Sequence, residues 1–371
     1  MPDKKPFRVF ATCNIGDDAL NRLRERGYDL EVYPEPDPPP KELVIEKVKS
    51  GIDGLVTTLR DQIDAEIFEA GRGHLKVVAQ EAVGFDNINR ADANRYRIPF
   101  TNTADVLTDA TAEFAFFIMA DAARRLWNAE RLVRENKWGT WHPFLPFLGD
   151  EVTGKTVAVI GTGRIGLAFI SKCTGFDMNV LCYDAQYQNE QFVNNVQQIM
   201  DLRHTLRISR ERCWIKYASL ETCLSQADFI SLHVPLIREG ESATPTFHLI
   251  NEKTLRMMQR HAIIVNTSRG PVVDERAVAR ALKERWIGGA ALDVYGKEPL
   301  PADSPLRDPE IEDRCRLLPH FASAGKITRL SVDPNKGMAG RAVQALIDVL
   351  EENYGGDIKQ MPYVVNKEAF E

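Results

Sequence analysis

The stretch "GKTVAVIGTGRIGLAFISKCTGFDMNVLCYD" (residues 154–184) decides how this chain folds. Val157, Ala158, Val159 and Ile160 make a short apolar run that reads as a buried strand. Gly161, Gly163 and Gly166 follow as G-x-G-x-x-G and lead into a helical run, and "NVLCYD" supplies a second strand. That context gives the glycines their meaning. The first makes the turn, the second lets backbone approach a pyrophosphate, and the third lets the helix pack on the strand. The helix N-terminus then faces the phosphates. Asp184 lies 18 residues beyond Gly166, where an acid accepts hydrogen bonds from the adenosine ribose and repels a 2′-phosphate. NAD(H) is therefore the expected cofactor.

Working outward, the pattern repeats on both sides. "RVFATCNIG", "YDLEVY", "GIDGLVTT" and "LKVVAQEAVG" read as strands, with helices at "DDALNRLRERG" and "DAEIFEAGR" between them. "PEPDPPPKE" (34–42) reads as a rigid loop, because its prolines forbid a helix or a central strand. Downstream strands are expected at "DFISLHVPL", "AIIVNTSRG", "GAALDVYG" and "CRLLPHFAS". Strands alternating with helices imply parallel sheets covered on both faces. At 371 residues, two domains are expected. The fold class is α/β: two Rossmann-like, doubly wound parallel-sheet domains with an interdomain cleft. Residues 1–106, completed by 322–371, would form a substrate domain, and 107–321 the nucleotide domain.

The run 108–138 lacks Pro and Gly and reads as one or two helices, of the kind that bridges domains or forms a subunit interface. The polar segment between Ala185 and Tyr217 reads as a surface insertion with a helical first half. A net charge of −6 gives no electrostatic reason to expect nucleic acid or an anionic membrane. Six scattered cysteines have no metal-ligand spacing and fit a reducing compartment. "MPDKKPFRVF" has no apolar signal core and "NKEAFE" is not a peroxisomal address, so the cytoplasm is expected. No metal is expected.

Three polar residues stand at successive strand ends, where ligands bind in such sheets. Arg269 closes "NTSR" with a donor fork suited to a carboxylate and its neighbouring carbonyl, although it could equally pair with a structural acid. Glu298 follows in "DVYGKEP". His320 ends "LLPH"; on its own, a histidine there reads as a packed core residue. Glu298 lies 29 residues after Arg269, and His320 a further 22 on.

G-x-G-R-I-G, N-T-S-R-G, D-V-Y-x-x-E-P and P-H-x-A-S, at these spacings, resemble the D-isomer-specific 2-hydroxyacid dehydrogenases over nearly the whole chain. Within them, "NTADVLTDATAEFA" and "LPHFASAGKITR" look most like glyoxylate/hydroxypyruvate reductases, and the region after Gly175 is similar to the plant-type hydroxypyruvate reductase. The resemblance implies that His320 is the proton donor, that Glu298 orients it and favours its charged form, and that Arg269 binds the substrate carboxylate. It implies backbone N–H contacts from Val83 and Gly84, pyrophosphate contacts from Arg164 and Ile165, and an adenosine neighbour in Pro235. Thr267, Asp293 and Ser323 would belong to the nicotinamide end. Thr111 would approach the cofactor or serve only helix packing. Leu107 and Trp141 would shape the substrate pocket, with Trp141 equally readable as an interface aromatic. The expected reaction is reduction of hydroxypyruvate to D-glycerate and of glyoxylate to glycolate, by a homodimer. Another small 2-keto acid, or a dinucleotide-sensing role like that of the family's corepressor branch, remains open.

Overall fold

The computed structural model describes residues 5–371. The first four residues, part of the stretch read as lacking a signal core, lie outside that range. The chain divides into two compact units. One comprises residues up to Leu107 together with Ala324–Glu371, and the other Thr108–Ser323.

The first unit holds β1 (Arg8–Ala11), β2 (Asp29–Val32), β3 (Gly54–Thr57), β4 (Val77–Gln80) and β5 (Phe100–Thr101), in the order β2-β1-β3-β4-β5, with every pair parallel. Successive side chains of a strand point to opposite faces. Val9 and Ala11 therefore pack with the C-terminal helix Met338–Leu350, while Phe10 between them packs with Ile67, Phe68 and Phe100 on the other side. The proline-rich loop ends at Pro40, where the helix Lys41–Lys49 starts. Proline tolerates a helix start because its missing N–H is one the first turn leaves unpaired anyway.

The second unit holds β6 (Thr156–Ile160), β7 (Asn179–Tyr183), β8 (Ile215–Tyr217), β9 (Phe229–Leu232), β10 (Ile263–Asn266), β11 (Gly289–Leu292) and β12 (Cys315–Leu317). Their order is β12-β11-β10-β9-β6-β7-β8, again all parallel. Apart from the added β12, this is the doubly wound order that reverses direction at the first strand, here between β6 and β9. Val157 and Val159 pack on one face, and Ala158 and Ile160 on the other. A parallel strand buried on both faces reads as continuous apolar sequence rather than as alternation.

One expectation changes, and another is made specific. Residues 186–217 are not a surface insertion: Val193, Val196 and Met200 of the helix Glu190–Thr205 are buried on the sheet, and β8 extends the sheet by pairing with β7. The segment looked peripheral because only one helix face is covered and β8 is a three-residue edge strand. The run 108–138 is two helices, Thr108–Arg124 and Leu126–Arg134, broken at Arg125, whose φ is +55°. No Pro or Gly marks that break. Arg125 is held instead by tertiary contacts, pairing with Asp313 at 2.8 Å and lying over the Phe147 ring.

The turn between β6 and its helix is crowded at Gly161 and Gly166. Gly161 has φ +96°, and a Cβ on Gly166 would lie 2.0 Å from the Gly161 carbonyl oxygen. Gly166→Ala is accordingly expected to cost about 1–3 kcal/mol by overpacking, read as a lower urea midpoint. An unchanged midpoint would contradict this close approach.

Candidate functional site

β10, β11 and β12 are neighbours, so the residues following them share one edge of the second sheet. Arg269 leaves β10 in a turn clamped by the fully buried Asn266. The Asn266 Nδ2 donates to the Arg269 carbonyl at 3.0 Å, and its Oδ1 accepts from the Ser268 N–H at 3.0 Å and hydroxyl at 2.8 Å. Gly270 lets this turn lie against the backbone of Tyr295, where a Cβ would come within 1.8 Å of the Tyr295 carbonyl carbon.

After β11, Tyr295 ties two strand ends together. Its hydroxyl donates towards the carbonyls of Leu292 and Leu318 at 3.0 and 2.9 Å and accepts from the Leu318 N–H at 2.8 Å. Glu298 turns back on this corner, its Oε1 accepting from the Tyr295 N–H at 3.0 Å. Its other oxygen, Oε2, lies 2.8 Å from Nδ1 of His320, which follows β12. Both side chains keep about a third of their surface open, 31% for His320 and 29% for Glu298, so the imidazole remains reachable. Burial alone would raise the Glu298 carboxyl, but the imidazole, the Tyr295 N–H and the Arg269 charge together hold it below the usual carboxylate range.

Asp293 sets the height of this histidine. It is fully buried, and its two oxygens accept from the N–H groups of Phe321 at 2.7 Å and Ala322 at 2.8 Å. Its carbonyl accepts from the His320 N–H at 2.9 Å. Burial keeps the carboxyl above its ordinary pKa despite those donors. His320 itself has φ +53°, a left-handed backbone that persists only where surroundings impose it, and such residues gather at functional sites. Asp293, expected at the nicotinamide end, is thus seen anchoring the His320 turn.

Next to this edge is a pocket lined by Gly161, Gly163, Asp184, Pro235 and the loop around Thr246. A Cβ on Gly163 would meet nothing within 4 Å, while one on Gly161 would strike the His233 carbonyl at 2.6 Å. The first turn of the helix Arg164–Thr174 contains no acid, so nothing there cancels its positive end. Burial would raise the Asp184 carboxyl, yet N–H donors from Gln186, Thr162 and Tyr187 bring it below its usual range and keep it anionic. Thr267, beside Arg269, is buried with an Oγ1 that has no hydrogen-bond partner among the described residues. An open glycine cradle, an uncancelled helix end, a fixed carboxylate and an orphaned hydroxyl suit a dinucleotide. Arg164 is exposed and Ile165 half-buried on the first turn of that helix, Ser323 is half-buried after β12, and Thr111 is buried in the helix Thr108–Arg124.

The remaining predicted residues sit elsewhere. Val83 and Gly84 lie in the first unit, in the loop after β4. The Val83 carbonyl accepts from Asn102 Nδ2 at 2.8 Å and the Gly84 carbonyl from Gln80 Nε2 at 2.7 Å, while neither N–H meets an acceptor among the described residues. Leu107 closes the first unit, half-buried. Trp141 is 77% exposed, in the segment after the helix Leu126–Arg134. Asn266, Tyr295, Gln80 and Asn102 were not singled out from sequence. Asn266, Tyr295 and Asn102 lie inside quoted motifs and Gln80 inside a quoted strand, but nothing in a lone sequence distinguishes a clamping side chain from a surface one.

Known proteins resolve what class of molecule this is. Residues 116–322 match the model of the D-isomer specific 2-hydroxyacid dehydrogenase, NAD binding domain. The chain is 44% identical to a glyoxylate reductase of Korarchaeum cryptofilum over 323 residues, covering 87% of this chain and 88% of that one. It is 37% identical to a glyoxylate reductase of Thermococcus litoralis, covering 98% and 97%. The TT0316 protein from Thermus thermophilus superimposes with a TM-score of 0.80 at 34% identity, covering 97% of this chain and all of that one. The chain belongs to the D-isomer-specific 2-hydroxyacid dehydrogenases, and its cofactor is NAD(H).

The depressed Glu298 carboxyl has a stability consequence. A carboxylate whose folded pKa lies below its unfolded one contributes fully above the unfolded value, and that contribution is lost as pH falls through the folded one. Relative to Glu298→Gln, the parent is expected to gain less than about 1 kcal/mol near neutral pH, because the pair is partly solvated. Urea midpoints for the two proteins should converge below about pH 4; a gap that widens on acidification would contradict the pairing.

Proposed function

We propose that this protein is an NADH-dependent reductase of small 2-keto acids, acting on glyoxylate to give glycolate and on hydroxypyruvate to give D-glycerate. The observation that carries the reading is the Glu298–His320 contact of 2.8 Å on the strand edge where Arg269 also emerges. The names of the archaeal relatives support glyoxylate as a substrate.

Bound NADH supplies the hydride. The chain's own groups supply the rest. Arg269 takes the substrate carboxylate and polarises the keto oxygen, since a guanidinium fork matches two adjacent oxygens. Val83 and Gly84 keep the substrate-binding role that the resemblance implies, with N–H groups that meet no acceptor among the described residues. His320 gives the proton from Nε2 to the forming alkoxide, while Glu298 fixes Nδ1 as the protonated nitrogen and balances the imidazolium charge. In the reverse direction the same nitrogen removes the hydroxyl proton.

Purified protein should oxidise NADH with glyoxylate and with hydroxypyruvate, and much more slowly NADPH, because Asp184 opposes a 2′-phosphate. His320→Asn should lower kcat about 10²- to 10⁴-fold while NADH binding, followed by fluorescence, persists. Undiminished turnover in that variant would remove the histidine from the mechanism, and no turnover on any 2-keto acid by the parent would remove the reductase reading.

A homodimer belongs to the same proposal. Phe117, Leu126, Trp127, Val133, Trp138, Trp141, Phe144 and Leu148 are all exposed along the two helices and the segment after them. An apolar band of that kind marks a protein–protein interface, and its aromatic content suits an interface core. Sedimentation of the parent should give twice the chain mass, and Trp141→Arg should shift it towards the monomer; a parent that sediments as a monomer at micromolar concentration would contradict the dimer. The cytoplasm is the location proposed, in keeping with six free thiols, five of them buried.

A further inference from the structure

The segment 186–217 has a task beyond extending the second sheet. Tyr217 ends β8, and its hydroxyl lies 3.0 Å from Oγ1 of Thr162, the residue between Gly161 and Gly163. The same hydroxyl accepts from the Asn189 N–H at 2.8 Å, at the start of the helix Glu190–Thr205. Thr162 in turn donates to Oδ2 of Asp184, from its N–H at 2.8 Å and from its hydroxyl at 3.3 Å. A line of contacts thus runs from the edge strand β8, through a buried threonine, to the carboxylate that lines the dinucleotide pocket.

The acceptor places of Asp184 are already taken. Oδ1 accepts from the N–H groups of Gln186 at 3.0 Å and Tyr187 at 3.2 Å, and Oδ2 from the two donors of Thr162. An ionised carboxylate offers about four lone-pair sites. Three of these donors are backbone N–H groups, fixed by the chain. The fourth, the Thr162 hydroxyl, turns on one bond and is the most distant, beyond the limit of roughly 3.0 Å usual for an O–H···O bond. A ribose hydroxyl that donates to Asp184 therefore displaces Thr162. Thr162 is 4% exposed, so a displaced hydroxyl with no other partner would stay buried and unsatisfied. Tyr217 removes that cost. Whichever of the two hydroxyls donates, their 3.0 Å contact leaves Thr162 one hydrogen bond after it gives up Asp184.

Resting on the reading that Asp184 takes a ribose hydroxyl of the cofactor, we propose that Tyr217 is a positioning residue of the NAD(H) site, which holds the Thr162 hydroxyl when that ribose hydroxyl replaces it at Asp184. Tyr217 acts through Thr162 rather than by touching the cofactor. Its second contact, with the Asn189 N–H, involves no group that the ribose displaces. Losing that contact lowers stability and leaves affinity alone.

The test follows NADH binding by fluorescence in the parent, Tyr217→Phe, Thr162→Val and the double variant, with urea midpoints alongside and no substrate present. Tyr217→Phe is expected to weaken NADH binding about 5- to 30-fold, because the displaced hydroxyl is then left without a partner. Thr162→Val has no hydroxyl to displace and should bind NADH at least as tightly as the parent. Added to Tyr217→Phe, it should restore the lost affinity while the urea midpoint stays low. A merely structural role would leave the double variant as weak as Tyr217→Phe, and that result overturns the inference. So does undiminished NADH binding in Tyr217→Phe. Should Tyr217→Phe fail to fold, a Thr162→Val protein that binds NADH about tenfold more weakly than the parent overturns it instead. An Asp184→Ala protein that binds NADH as tightly as the parent removes the reading of Asp184 and this inference with it, and leaves the reductase reading in place.

Discussion

In a parallel sheet every strand runs the same way, so every strand ends on the same edge. That constraint organises this molecule. It puts the residues after β10, β11 and β12 side by side although 51 residues of sequence separate Arg269 from His320. Because each backbone N–H and C=O inside the sheet is used by a neighbouring strand, the first groups free to bind anything else appear at that edge.

The edge would still be loose without its second layer of contacts. Asp293 holds the His320 turn by two N–H groups, Tyr295 joins the β11 and β12 ends, and Asn266 closes the Arg269 turn. Each of these partners is buried or nearly so, where hydrogen bonds are strong and their loss is expensive. The histidine is thereby kept in a left-handed backbone that it would not adopt alone. Strain at His320 is balanced by Asp293. The first sheet repeats the arrangement with amides: Gln80 and Asn102 tie back the carbonyls of Gly84 and Val83.

Some of this was open to a reader of the bare sequence. The glycine spacing at Gly161, Gly163 and Gly166 needs only one strand and one helix to be interpreted, and those signals are local. The Arg269, Glu298 and His320 set was legible because three motifs recur at set distances. The break at Arg125 was not, since an arginine in a left-handed conformation carries no propensity signal and is held there by Asp313 and Phe147. Nor was β8, whose three residues gain their strand character only by pairing with β7.

By itself, then, the sequence determined the class of fold and the dinucleotide fingerprint, which rest on short-range periodicity and residue chemistry; Arg269, Glu298 and His320 were put forward through the family resemblance of the motifs that hold them. The tertiary structure decided what each of those groups touches: that Asp293 grips backbone and that Glu298 meets Nδ1 of His320. Hydrogen-bond partners are chosen by the meeting of distant strand ends, and burial sets their charge states, so neither could be read before the chain was folded.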